Sequence, residues 1–303
     1  MSKKHQLTAT LPTRVLGKTG LEVSVLGLGC GTIGFGNVPH QQGVAVVRHA
    51  LDRGITYIDT AHHYESEPIV GDALSGRRDS VVLATKTVKR NAQAARRDLE
   101  QSLRDLRTDV IDIYFMHCVN TLGDLDAVTG TGGSLEVAIE ARRAGLVRHI
   151  GISGHARPGV LALALDRFPF DVVLIALGAM DHLVSAPELF FLPAARAAGC
   201  GVVGMKVLGC GRLTGHPDLA LRYTLEQGAH TAIVGMGTTA QIDELAAAAG
   251  DPRPLTPEEE AVLMAEARPQ VVDQQDAPFW LADFEVIAYR KDWPGAIAAP
   301  ADA

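Results

Sequence analysis

The chain has 303 residues, 47% of them hydrophobic, and a formal net charge of −7 at pH 7. An acidic balance argues against nucleic acid or an anionic membrane as the main partner. The basic N-terminal stretch is followed by no apolar segment of a secretory signal, and no run reaches the roughly 18 apolar residues of a membrane span, so a cytoplasmic location is expected. The four cysteines, Cys30, Cys118, Cys200 and Cys210, are widely spaced and form no CxxC pair, which argues against a cysteine-built zinc or iron–sulfur site.

In chain order, the first element is "RVLGKTGLEVS", which reads as a hairpin over about 13–25 that caps one mouth of the domain. Eight apolar, β-rich runs follow, at 23–30, 55–60, 80–86, 110–117, 148–153, 172–178, 201–209 and 231–237. Their spacing leaves room for one crossover helix each. Continuous apolarity suits parallel strands covered on both faces. Among the helices, 94–106 carries Leu99, Leu103 and Leu106 on one stripe. A second opens at Ser134 and closes at Gly145; a third begins at a threonine cap and ends at Gly250. After the eighth run, "TPEEEAVLMAEA" predicts a last helix with Thr256 as its cap and Pro257 in its first turn.

Eight β/α units predict a closed (β/α)8 barrel over about 23–250, in a single domain of residues 1–303, with a C-terminal helix and tail over 255–303. A doubly wound open sheet is the alternative. From about residue 269 the chain reads as an irregular tail over a barrel mouth, and its last ten residues as disordered.

The chemistry lies at the ends of the runs. Asp59, Lys86 and His117 close the second, third and fourth, and Tyr64 follows five residues after Asp59. Active sites of β/α barrels lie at the C-terminal strand ends, and neighbouring strands are about 4.8 Å apart, so these side chains can converge. A phenol titrates near pH 10, and a nearby ammonium is expected to lower that value. A carboxylate keeps the ammonium charged, and an imidazole can donate to a carbonyl oxygen or share its proton. Such a group suits protonation of a carbonyl oxygen as hydride reaches its carbon. Asp112 has the opposite strand parity to His117 and is expected to face the helices and an arginine.

The motifs "LGKTGLEVSVLGLGCGTIG", "GITYIDTAHHYESEPIVGDAL", "ATK", "SLRDLRTDVIDIYFMH", "GLVRHIGIS" and "MKVLGCGRL" resemble those of the aldo-keto reductase family, in order and spacing, over roughly 14–250. The resemblance implies Tyr64 as proton donor, Lys86 and Asp59 as its tuning pair, and His117 as the group orienting a carbonyl or alcohol substrate. It also implies NADP(H) or NAD(H) extended across the C-terminal mouth. Cys30, Ser153, Gly154, Lys206, Leu208, Gly209, Gly211, Arg212, Gly235, Thr238, Thr239, Gln241 and Glu244 are the implied cofactor contacts. The chain departs from the family at Gly154, usually Asn, and Leu174, usually Gln. It also lacks the Arg or Lys that usually follows the eighth strand. No metal is implied. Substrate choice is expected to lie in a Gly-rich loop, 117–133, that moves on binding, and in the residues after 269.

Three competing readings remain. Gly29, Gly31 and Gly34 imitate a dinucleotide fingerprint, with Asp59 ending the next run; Pro39 and its loop are expected to keep any helix away from these glycines. His62, His63, His117, His155 and His182 all follow runs and could ligate a metal for hydrolysis, although Lys86 would repel a cation at Asp59. His62 and His63 are otherwise expected to shape the substrate pocket or face solvent. The last reading is a barrel that binds the cofactor with little turnover, as a sensor or subunit.

Overall fold

The structure, a computed structural model, describes residues 11–36, 38–155, 157–251 and 253–272. Strands β1 (Thr13–Val15) and β2 (Glu22–Ser24) form the expected antiparallel hairpin. Eight parallel strands follow: β3 (Leu26–Gly29), β4 (Tyr57–Asp59), β5 (Val82–Thr87), β6 (Ile111–Met116), β7 (Val147–Gly154), β8 (Val172–Ala176), β9 (Gly201–Met205) and β10 (Thr231–Gly235). They pair in sequence order, and β10 closes on β3 through Ala232↔Leu26. This is the (β/α)8 barrel. Every residue of β4, β5 and β6 is buried, because one face points into the barrel and the other meets helices.

The first apolar run is divided between two elements. Ser24 ends the hairpin, and its hydroxyl donates to the Leu26 carbonyl at 2.6 Å, turning the chain into β3. Both halves are equally apolar, so periodicity could not show the bend. The hairpin's turn, Gly17–Thr19, packs against the N-terminal end of β9. Leu16 is wholly buried, and the Lys18 amide donates to the Gly199 carbonyl. Gly17 has φ +52°, and a Cβ there would stand 2.3 Å from the Gly201 nitrogen, so no side chain fits.

Two further expectations need correction. The 117–133 loop contains a helix, Leu122–Thr129, started by a reciprocal Thr121–Asp124 capping box. Arg90 ties it down, donating to Asp124 at 3.0 Å and to the carbonyls of His117 and Cys118 at 2.7 Å each. Likewise the chain does not become irregular at 269, since helix Pro257–Val272 runs through Pro269. Leu263, Ala267 and Val271, spaced by four, are all buried and carry it on. The tail after 272 lies outside the described residues.

Candidate active site

Asp59 is the last residue of β4 and Lys86 the penultimate residue of β5. Both are buried, at 2% and 0% exposure. Lys86 Nζ donates to Asp59 Oδ1 at 2.5 Å and to the Thr60 carbonyl at 2.6 Å. It lies 4.8 Å from the centre of the Tyr64 ring. Burial alone would push the ammonium down, but Asp59 and Tyr64 offset it and the net direction is upward. Lys86 is therefore a fixed cation. Among the described residues, Asp59 Oδ2 has no hydrogen-bond partner.

Tyr64 ends a single 3-10 turn, His62–Tyr64, after β4. Its Oη lies 3.5 Å from Nε2 of His117, the residue just past β6. The structure corrects one expectation here. Burial raises the Tyr64 pKa above 10 and outweighs the pull of Lys86, so the phenol keeps its proton throughout the neutral range. Burial and Lys86 hold the His117 imidazole neutral, well below its ordinary range.

Ser153, near the end of β7, places its Oγ 2.6 Å from His117 Nδ1. The same oxygen accepts the Cys118 amide at 3.2 Å. The serine oxygen can donate to Nδ1 or accept from it through its second lone pair, so this bond serves either ring tautomer. Sequence reasoning assigned Ser153 to the cofactor and missed this partnership, because nothing in the spacing reveals which β7 side chain meets which β6 side chain.

The histidines separate into groups. His63, His117 and His155 form a row, with ring centres 5.3 and 5.9 Å apart. His63 packs on Tyr64, and the exposed Phe35 leans on both. Burial and Lys86 push His63 down to about 4, and burial and Lys206 push His155 down to about 3. His62 turns away behind β5, and His182 pairs with Glu188 at 2.6 Å. Asp112, as its parity requires, faces outward, accepting from Arg78 and Arg148 at 2.7 Å each and from the Leu83 amide.

The residues implied for the cofactor stand around the same rim. Cys30 is buried, and its amide donates to the Asp59 carbonyl. A Cβ on Gly154 would stand 2.8 Å from the Val119 carbonyl oxygen. After β9 the backbone is left-handed at Lys206, Gly209, Cys210 and Gly211, a tight turn that also carries Leu208 and Arg212. After β10, Gly235 lies against Thr32, and Thr238 caps helix Thr239–Ala249 by accepting the Gln241 amide. Gln241 in turn accepts the Gly237 amide at 2.9 Å, with Glu244 one turn on. A glycine-bearing turn with cations at both ends, beside a capped eleven-residue helix, fits an extended dinucleotide diphosphate.

The Gly29–Gly34 segment also departs from expectation. A five-residue helix, Gly31–Phe35, begins directly at these glycines. The space they leave serves protein packing: a Cβ on Gly34 would stand 1.7 Å from the Tyr64 carbonyl oxygen. The closed barrel also rules out the doubly wound sheet.

A model of the aldo/keto reductase family matches residues 25–218. The chain belongs to this family. It is 29% identical over 300 residues to L-galactose dehydrogenase of Arabidopsis thaliana, covering 84% of this chain and 93% of that protein. It is 40% identical over 153 residues to the aldo-keto reductase YhdN of Bacillus subtilis (strain 168), covering 45% of this chain and 44% of that one. Among solved structures, the holo form of an aldo-keto reductase from Bacillus halodurans superposes with a TM-score of 0.72 at 26% identity, over 88% of this chain and 99% of that one. An aldo/keto reductase from Klebsiella pneumoniae, solved with NADP and acetate, gives 0.67 at 26% identity, over 83% and 93%. Family membership makes the protein an NAD(P)-dependent oxidoreductase. Among the described residues, no helix is long and apolar enough to cross a membrane.

Proposed function

We propose that this reductase interconverts an aldehyde or ketone with its alcohol, with Tyr64 as the proton donor. The bound nicotinamide supplies or accepts the hydride. A carbonyl oxygen held between Tyr64 Oη and His117 Nε2, which are 3.5 Å apart without it, receives hydrogen bonds from both. Tyr64 releases its proton to that oxygen as charge develops. Lys86 stabilises the phenolate left behind, and Asp59 holds Lys86 in place. His117 stays neutral and directs the carbonyl, with its proton on Nε2 and Ser153 hydrogen-bonded to Nδ1. The observation that carries this reading is the buried Lys86–Asp59 pair pressed against the Tyr64 ring.

The cofactor would lie along the turn from Lys206 to Arg212 and the cap at Thr238, with Cys30, Gly154, Gly235, Thr239, Gln241 and Glu244 around it. Similarity to a sugar dehydrogenase makes hydroxyaldehydes and lactols the first substrates to assay, ahead of simple aldehydes. The deciding experiment is Tyr64→Phe with NADH and NADPH. Turnover should fall by roughly 10²- to 10⁴-fold, the usual share of a general acid, while cofactor fluorescence titrates as in the wild type. Unchanged turnover would overturn the mechanism.

A further inference from the structure

Two buried carboxylates lie behind β5, on the side away from the barrel axis, where no reacting atom reaches. Glu67 is 1% exposed and accepts from Thr85 Oγ1 at 2.6 Å and from Ser102 Oγ at 3.0 Å. Asp98 accepts from Thr87 Oγ1 at 2.6 Å. Thr85 and Thr87 flank Lys86, and strand parity turns both outward as it turns Lys86 inward. His62 stands between the two acids. Its Nδ1 is 3.4 Å from Glu67 Oε2, and its Nε2 is 3.7 Å from Asp98 Oδ1. His62 is also the first residue of the turn that ends at Tyr64.

We propose that His62, as an imidazolium, is a positioning residue that clamps the Tyr64 turn to the two carboxylates holding β5 on either side of Lys86. One polar network thereby sets the proton donor against its cation from behind. The proposal rests on the reading of Tyr64 and Lys86 as the reacting pair.

The geometry favours the charge, with acids 3.4 and 3.7 Å from the two ring nitrogens. A neutral imidazole has a single N–H, whereas acids face both ring nitrogens here. The titratable groups facing His62 are Glu67, from the helix starting at that residue, Asp98 and Asp105 on helix Ala92–Asp105, and His63 in its own turn, while Lys86 points to the other side of β5. The carboxylates dominate: the Glu67 bond raises the His62 pKa above 6.5 against the effect of burial. The adjacent His63, facing Lys86, is pushed down to about 4. Neighbouring histidines are thus shifted in opposite directions. His62, Glu67 and Asp105 stand close enough to ligate a divalent ion, but both Glu67 oxygens already accept protein hydroxyls.

The clamp is intact below pH 6.5 and weakens as pH rises through the higher folded-state pKa. Tyr64 itself titrates above 10, and loss of the limb in His62→Gln assigns a decline in kcat between those limits to His62. The test uses the full chain with saturating NADH or NADPH and the fastest of 4-nitrobenzaldehyde, glyceraldehyde and methylglyoxal, from pH 5.5 to 9.5. Wild type should lose kcat on that alkaline limb at constant cofactor affinity. His62→Gln should lower kcat roughly tenfold, as small misplacements of a reacting group do, leave cofactor binding unchanged and abolish the limb. Asp98→Asn should shift the limb downward if His62→Gln fails to fold. In NMR titration the His62 ring should change charge above pH 6.5. A ring that titrates at or below 6.5, or wild-type kcat and pH profile in His62→Gln, overturns the clamp. Loss of turnover in Tyr64→Phe beside an unaffected His62→Gln overturns the clamp alone. Wild-type turnover in Tyr64→Phe overturns the proton-donor reading and the clamp's role with it.

Discussion

Lys86 shows how one residue links stability to chemistry. A buried ammonium is tolerated because a carboxylate and a carbonyl both touch it. Removing one partner leaves the other charge buried and unpaired. Lys86→Met should therefore cost about 3–5 kcal/mol in urea unfolding, and Asp59→Asn combined with it should recover part of that loss. Equal stability of the single and double variants would refute the pairing argument. Ser153 acts more subtly. Ser153→Ala removes the hydrogen-bond partner of His117 Nδ1, so the proton that the proposed mechanism keeps on Nε2 can move to that nitrogen. Lower kcat and a changed His117 tautomer in ¹⁵N spectra are expected, with the fold's stability little altered. Asp59, Lys86, His117 and Tyr64 were legible because each ionisable group closes or closely follows an apolar run. Ser153's partner was not, because its bond crosses between two strands.

The elements are held in place by contacts that a residue pattern only partly announces. The helix Gly31–Phe35 approaches the Tyr64 turn so closely that only glycine fits at 34. Gly34→Ala should destabilise the protein by about 1–3 kcal/mol, as overpacking does, and should lower kcat more than it raises the substrate KM, since it displaces Tyr64. A purely structural role would leave kcat of the folded fraction unchanged. Near the site's opposite side, Thr121 caps the helix in the 117–133 loop. Thr121→Ala should cost about 1 kcal/mol, measurable by thermal unfolding. That helix escaped notice because the 117–133 loop around it is rich in glycine, with Gly123, Gly130, Gly132 and Gly133, while the helix buries only two residues, Leu125 and Val128. Helix Thr239–Ala249 carries no Lys or Arg. NADH is therefore expected to bind at least as tightly as NADPH, and a fluorescence titration showing clear preference for NADPH would locate the missing cation elsewhere.

At the scale of the molecule, buried titratable rings govern the response to acid. His63, His117 and His155 are all held neutral, with folded pKa values below the 6.5 of the unfolded chain. For a depressed pKa the stabilisation is full above 6.5 and is lost as pH falls toward the folded values. The unfolded chain then binds more protons than the native one. Urea midpoints should consequently drop steeply between pH 6.5 and 4, and His155→Gln should flatten that slope. His62 works in the opposite sense, contributing below 6.5 and losing its effect on the alkaline side. A midpoint independent of pH over the acid range would show that these rings are not held neutral.

The amino-acid sequence by itself determined the alternation of strands and helices, the closed barrel and the rim position of the four ionisable groups, because these follow from periodicity and strand parity. Tertiary structure alone decided the rest. Whether a phenol's pKa moves up or down depends on the balance of burial against one ammonium, and burial won at Tyr64. Which hydroxyl meets His117 depends on the register of β6 with β7, and which acids lie behind Lys86 on how the helices carrying Glu67 and Asp98 pack against β5. Register and burial are sums over partners distant in the chain, and no local pattern carries them.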